Sequence, residues 1–240
     1  MRTAVAALSL VLAACAACGG GGDGGGSASE SDIDPEAQER AEGFVLKLSD
    51  FPNGWRGSAP EEEDEESIEA FRRCAGIDFS SLTLIGKADS LDFATGESTE
   101  ASSSATVFAS EEEAWQGMTE FAEAMNGSKV EDCVQDLIEQ NIESGSEFKV
   151  GEVDVGQFNV TPPDVEEAAA WQIVVPFEIT SGAGEGLSPS AYLEFVALRE
   201  GDEVAVVQTS DVLTQFDSEQ RDQLVAAVAG RMTGWSSSEG

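Results

Sequence analysis

The chain contains no histidine. That absence removes the commonest general base, the serine-histidine-aspartate constellation and the usual imidazole ligands of zinc. Positive charge is nearly as scarce: 12 lysines and arginines stand against 47 aspartates and glutamates, for a formal charge of −35. A surface of that sign repels phosphate backbones instead of releasing their counterions, so no nucleic-acid partner is expected. Long apolar runs are missing too. The apolar run from Ala4 to Ala14 is far short of the roughly 18 to 20 residues needed to cross a bilayer, and no later window of that length lacks charges, so no membrane-spanning helix is expected. The acids follow no Asp-x-Asp-x-Asp-Gly calcium spacing but spread along the whole chain, so no metal is expected, and the Met, Phe and Trp stripes read as core-forming faces instead of a slot for a cofactor, so no cofactor is expected either. Their simplest reading is a solvated surface suited to a salty or alkaline exterior, with recognition of cations or a basic partner as the alternative. The run Glu61 to Glu66 reads as an exposed loop or a first helical turn.

What is present begins with an address. Arg2 precedes an uncharged apolar run from Ala4 to Ala14, the n-region and h-region of a secretory signal. Leu12-Ala13-Ala14-Cys15 then resembles the lipobox of bacterial lipoproteins, in which a branched apolar residue and two small ones precede the cysteine that receives diacylglycerol. Residues 1–14 are therefore read as a lipoprotein signal peptide and Cys15 as the lipidated N-terminus. Cys18, after Ala16-Ala17, is the alternative site, although it puts Cys15 where the motif wants a branched side chain. Residues 15–33 form a linker dominated from Gly19 to Ser31 by glycine and serine, a random coil reaching roughly 20 Å. Acyl chains add about 0.8 kcal/mol per buried methylene, so lipid alone holds such a chain to the membrane.

Two cysteines remain, Cys74 and Cys133. In an oxidising compartment outside the cytoplasm such a pair reads as a disulfide. Closing a loop of about sixty residues, it stabilises the fold by about 4 kcal/mol on the chain-entropy estimate. The Cys-x-x-Cys spacing occurs at Cys15 and Cys18 alone, which argues against redox chemistry in the domain.

Residues 34–235 have the length of one domain with its own core. Asp34-Pro35 opens a helix to about Leu48, with Ala37, Ala41, Phe44, Val45 and Leu48 on one face. Asp50-Phe51-Pro52-Asn53-Gly54-Trp55 breaks it. A short helix over Ser67 to Ala75 carries Ile68, Phe71 and Cys74 inward. Short strands follow between Leu82 and Ala109. Ser110 with Glu113, and Ser128 with Glu131, are capping boxes for two helices, the first striped by Trp115, Met118, Phe121, Ala122 and Met125, the second by Val130, Cys133, Val134, Leu137 and Ile138. Strands then cover Phe148 to Phe158 and the alternating Trp171, Ile173, Val175, Phe177 and Ile179, where Pro176 marks an edge or a bulge. Tyr192 to Leu198 and Val204 to Gln208 flank a hairpin at Glu200-Gly201-Asp202. A last helix starts near Asp217 and carries Leu224, Val225, Val228 and Met232 before Gly234, and residues 236–240 are a disordered tail. Helices first and last around consecutive strands define an α+β domain, an antiparallel sheet half covered by helices.

Leu48-Ser49-Asp50-Phe51-Pro52-Asn53-Gly54-Trp55, then Cys74, the strand with Val107 and Phe108, the helix opening at Ser110 to Ala114, and Cys133 together resemble actinobacterial extracytoplasmic sensor domains of the PknH-like type. The resemblance implies a core similar to the PsbP-like α+β fold and binding of a ligand or partner in a cleft. It departs from that pattern in having one candidate disulfide instead of two and no kinase or membrane helix, so the chain is expected not to signal through itself.

No catalytic residue is assigned. Ser146-Glu147-Phe148-Lys149 fits Ser-x-x-Lys by letter but lacks the companion motifs of penicillin-recognising enzymes. Gly182-Ala183-Gly184-Glu185-Gly186 lacks the helix and lysine that hold phosphate, and reads as a flexible loop. Trp115 and Trp171 fall on apolar faces and read as core, whereas Trp55 and Trp235 sit in turns. The candidate binding edge is therefore Asp50, Phe51 and Trp55. The expected function is that of a membrane-anchored extracytoplasmic lipoprotein binding a small molecule or protein in the cell envelope. The alternative is a carrier or chaperone for an apolar molecule.

Overall fold

The computed structural model of the protein describes residues 33–60, 65–96, 98–141, 148–161, 164–181 and 185–236. The signal segment, Cys15, Cys18, the linker and the tail 237–240 lie outside them, as do Glu61 to Asp64 of the acidic run and residues 182–184 of the glycine loop.

Asp34 caps the first helix, α1 (Pro35–Phe44), its carboxylate accepting from the amides of Glu36 at 2.9 Å and Ala37 at 3.0 Å, with proline at the first helical position. Ala37, Ala41 and Phe44 form its buried stripe. It ends four residues before the expected Leu48, because Val45 turns extended and the Leu46 amide donates to Ser103 Oγ at 2.7 Å. A 3-10 turn (Leu48–Asp50) leads to β1 (Arg56–Ser58), then α2 (Glu65–Ala75), β2 (Leu84–Asp89), β3 (Asp92–Thr95) and β4 (Thr99–Phe108). Two helices, α3 (Glu111–Met125) and α4 (Lys129–Asn141), precede β5 (Phe148–Val150), β6 (Asp154–Gln157), β7 (Glu167–Ile179), β8 (Ser190–Glu200) and β9 (Glu203–Val212), and α5 (Ser218–Ser236) closes the fold.

The strands make a single antiparallel sheet in the order β1-β3-β4-β9-β8-β7-β5, with β2 also on β4 and β6 also on β7. The expected α+β class and consecutive antiparallel strands are what the fold shows. The run 148–158 is two strands instead of one. The break between β5 and β6 falls opposite Pro176, which has no amide to donate and whose carbonyl accepts from Gly151 at 2.7 Å. The β8–β9 hairpin turns in two residues, Gly201-Asp202, between paired Glu200 and Glu203, and Gly201 at φ +55° supplies the left-handed first position.

Coverage differs from the half-covered sheet read from sequence: helices pack on both faces. On one face α2, α3 and α4 bury Trp171, Ile173, Val175, Phe177, Leu193 and Phe195. On the other α1 and α5 bury Ala170, Val196, Leu198, Ala205 and Val207. Because β8 and β9 are enclosed on both sides, they carry unbroken apolar runs (Phe195 to Leu198, Val204 to Val207) where a one-sided strand would alternate. Edge strands are closed by side chains. The Gln38 amide pairs with the Lys87 backbone in both directions at 3.1 and 2.8 Å, and the amides of Val153 and Val155 donate to Gln135 and Glu131 of α4.

Cys74 and Cys133 form the expected disulfide, joining α2 to α4 with Cα atoms 5.8 Å apart. Cys133 is buried, but Cys74 lies on the exposed flank of α2 instead of its inward face, since Phe71 and Ala75, four residues apart, take the core positions.

Candidate functional site

Asp50, Phe51 and Trp55 are brought together, as expected of one site, but as a buried clasp. The Phe51 ring lies 4.6 Å from Trp55 and 4.5 Å from Phe93, and Trp55 reaches Phe216 at 6.2 Å between centroids. Both side chains belong to the core beneath α1 and α5. Asp50 closes its own turn by accepting from the Lys47 amide at 2.8 Å. Both its oxygens also accept from Arg231 of α5, at 3.1 and 3.0 Å, while the same guanidinium donates to the Val45 carbonyl. The segment thus ties the α1–β1 connection to the last helix, and a ligand for Asp50 would have to displace Arg231. Around the clasp the turn itself is exposed, with Leu48 52% open to solvent.

The tryptophans redistribute accordingly. Trp171 is fully buried as expected, its ring edge-on to Phe121 and its Nε1 donating to Asn126 Oδ1 at 3.0 Å. Trp115, expected in the core, is 53% exposed: Ala114, Gly117, Met118 and Phe121 take the inward stripe of α3 and leave Trp115 on its flank. Trp235, expected in a turn, lies inside α5, which runs through Gly234, and meets Phe44 edge-on at 6.3 Å.

Two further clusters lie on the face covered by α1 and α5. Glu194, in the middle of β8 and buried, accepts from Gln172 at 2.9 Å, Thr209 at 3.4 Å and Arg221 at 3.2 Å. Arg221 stacks over the Phe158 ring, 4.7 Å from its centroid. At the hairpin Arg40 of α1 forks onto both oxygens of Asp202 at 3.0 Å and onto Glu203 Oε1 at 2.8 Å. Hydrogen bonding to Asp202 raises the guanidinium above its ordinary value. Burial pushes the Glu203 carboxyl up to about 7; Arg40 opposes the shift, while Asp202 and Glu200 add to it.

Sequence reasoning passed over these carboxylates because it assigned the acids as a group to the surface. The available signal was positional: Glu194 and Glu203 sit within or at the head of apolar strands where neither parity faces water. The opposite face is polar in one place, where Ser104, Thr106, Gln208 and Ser210 are buried and Gln208 Oε1 has no hydrogen-bond partner among the described residues. Between α3 and the sheet lies an apolar cavity of about 10 Å³, lined by Phe79, Phe108, Gly117, Met118, Phe121 and Val206 among others, room for about one water.

The fold and its contacts define an antiparallel α+β domain with helices on both faces. No family model and no curated protein matches the chain. Among solved structures it is similar to the extracellular domain of PknH from Mycobacterium tuberculosis, with a TM-score of 0.41 and 12% identity, the match covering 84% of this chain and 98% of that one. The likeness is a distant one.

Proposed function

We propose that the chain is a lipoprotein lipidated at Cys15, with Cys18 as the alternative, that holds a ligand- or partner-binding domain at the outer face of the cytoplasmic membrane and performs no chemistry there. The observation that carries this reading is the Cys74–Cys133 bridge. A structural disulfide belongs to an oxidising compartment, and it leaves Cys15 and Cys18, at the end of an uncharged apolar run, as the remaining thiols. Support for binding over catalysis comes from the use of the polar groups. Asp50, Glu194 and Glu203 are each closed by an arginine of a covering helix, an arrangement that holds the fold together. Among the described residues no helix is long and apolar enough to cross a membrane, and the anchor in this reading is the lipid on Cys15. The cavity beneath α3 is too small for an apolar cargo and gives the carrier reading no support.

Metabolic palmitate labelling tests the anchor. Label is expected on the wild type and lost in Cys15→Ser; undiminished label in that variant moves the anchor to Cys18, and no label on the wild type refutes the lipoprotein reading. Mass spectrometry of material copurifying with the native protein tests the binding role. A specific small molecule or envelope protein is expected, and its absence counts against that role.

A further inference from the structure

Gly86 of β2, Val107 of β4, Glu203 of β9 and Glu200 of β8 are successive partners in register, forming one row across the sheet. α1 lies directly on this row. A Cβ on Gly86 would fall on the Ala37 carbonyl, so the helix backbone touches the strand. One turn on, Arg40 reaches the hairpin and lies between Asp202 and Glu203. The Glu203 side chain is 3% exposed, and its Oε2 has no hydrogen-bond partner among the described residues. The charged groups facing it are Arg40 from α1, Asp202 from the turn and Glu200 from β8. Val107 of β4 and Gly86 of β2 bring no titratable group to the row. When all are ionised, Asp202 and Glu203 share one guanidinium, Glu200 adds its repulsion, and water cannot solvate the free Glu203 oxygen.

We propose that Glu203 and Arg40 form a proton-operated latch, which holds α1 on the sheet while Glu203 is protonated and loosens it when Glu203 ionises. Lifting α1 admits water to Glu203 and returns its affinity for the proton toward the ordinary 4.5, whereas the docked state holds that proton up to about 7. The docked state therefore binds the proton more tightly. By linkage, raising the pH through that window favours release, and no further change from this group occurs above it. The latch does not depend on lipidation. If the anchor is as proposed, release of α1 adds its 10 residues to the tether between membrane and domain.

Hydrogen exchange on the full-length protein tests this. With intrinsic rates corrected, protection of the amides from Ala37 to Phe44 is expected to fall roughly tenfold between about pH 5 and about pH 8, a discounted fraction of the shift. Protection of α4, on the opposite face, is expected to stay level. Glu203→Gln should abolish the fall in α1. An α1 profile parallel to that of α4, or a fall that survives in Glu203→Gln, overturns the latch. Should that variant fail to fold, carboxyl carbon resonances of the wild type decide: a Glu203 midpoint near 7 supports the latch, and one in the ordinary carboxylate range overturns it.

Discussion

The two faces of the sheet are held by different physics. Under α2, α3 and α4 the β7–β8 half is apolar, anchored by Trp171 and fastened by a covalent link between two helices. Under α1 and α5 the apolar packing is punctuated by three arginines, Arg40, Arg221 and Arg231, each projecting from a covering helix onto carboxylates of the strands, turn or clasp below. In a chain with 12 cationic side chains, these three and Arg199, which pairs with Glu166 and Glu167, are tied up internally. The solvent-facing surface is therefore more uniformly negative than composition alone conveys. A disulfide acts largely by constraining the unfolded chain. A buried ion pair instead balances desolvation against attraction, so it is costly to break from one side only. The covalent link makes the first face sensitive to reduction, and the buried carboxylates make the second sensitive to pH.

The strongest way to break the contrast is to remove the covalent link. The double variant Cys74→Ser, Cys133→Ser should lose about 4 kcal/mol of unfolding free energy, measured by urea denaturation, and the wild type under reductant should match it. A loss below about 1 kcal/mol would mean that the link constrains little of the unfolded chain.

Next comes Arg221→Ala, which strands Glu194 and should cost about 3 kcal/mol. Replacing the pair instead by Arg221→Met with Glu194→Leu should recover most of that loss, because an apolar pair of similar volume needs no desolvation. Failure to recover would show that Gln172 and Thr209 need the carboxylate for their own hydrogen bonds.

A smaller effect distinguishes the faces by pH. Because the folded-state pKa of Glu203 is raised from 4.5 to about 7, its contribution to stability is fully present below the unfolded value and is lost as pH rises through the folded one. Wild type should therefore lose about 1 to 2 kcal/mol relative to Glu203→Gln between about pH 5 and about pH 8, after discounting for residual solvent screening. Parallel melting temperatures for the two proteins across that range would refute it. The smallest effect is expected for Trp115→Ala, under about 0.5 kcal/mol by thermal unfolding, because the side chain is 53% exposed. A larger loss would place Trp115 in the core after all.

Much of the fold was legible because its signals are local. The Asp34-Pro35 and Ser110 caps, the stripes of α3, α4 and α5, the alternation of β7 and the Gly201 turn each depend on residues within a few positions. The candidate site was legible only as proximity. Asp50, Phe51 and Trp55 do lie together, but whether a turn residue faces water depends on what arrives from elsewhere, here Phe93, Phe216 and Arg231 from distant parts of the chain. Trp115 shows the converse: its helix was right and its rotation wrong by about one position, because a broad stripe leaves the centre of the buried face to be set by the partner surface.

By itself the sequence determined the α+β class, the hairpin and the partners in the disulfide. Patterning and cysteine number constrain these before any long-range contact forms. Tertiary structure alone decided that the sheet is covered on both faces, that Cys74 reaches Cys133 from an exposed flank, and which few of 47 acids are buried against arginine. Burial of a charge is a property of its surroundings. Arg40 and Glu203 are separated by 163 positions, and their proximity exists only once the helix has docked on the sheet.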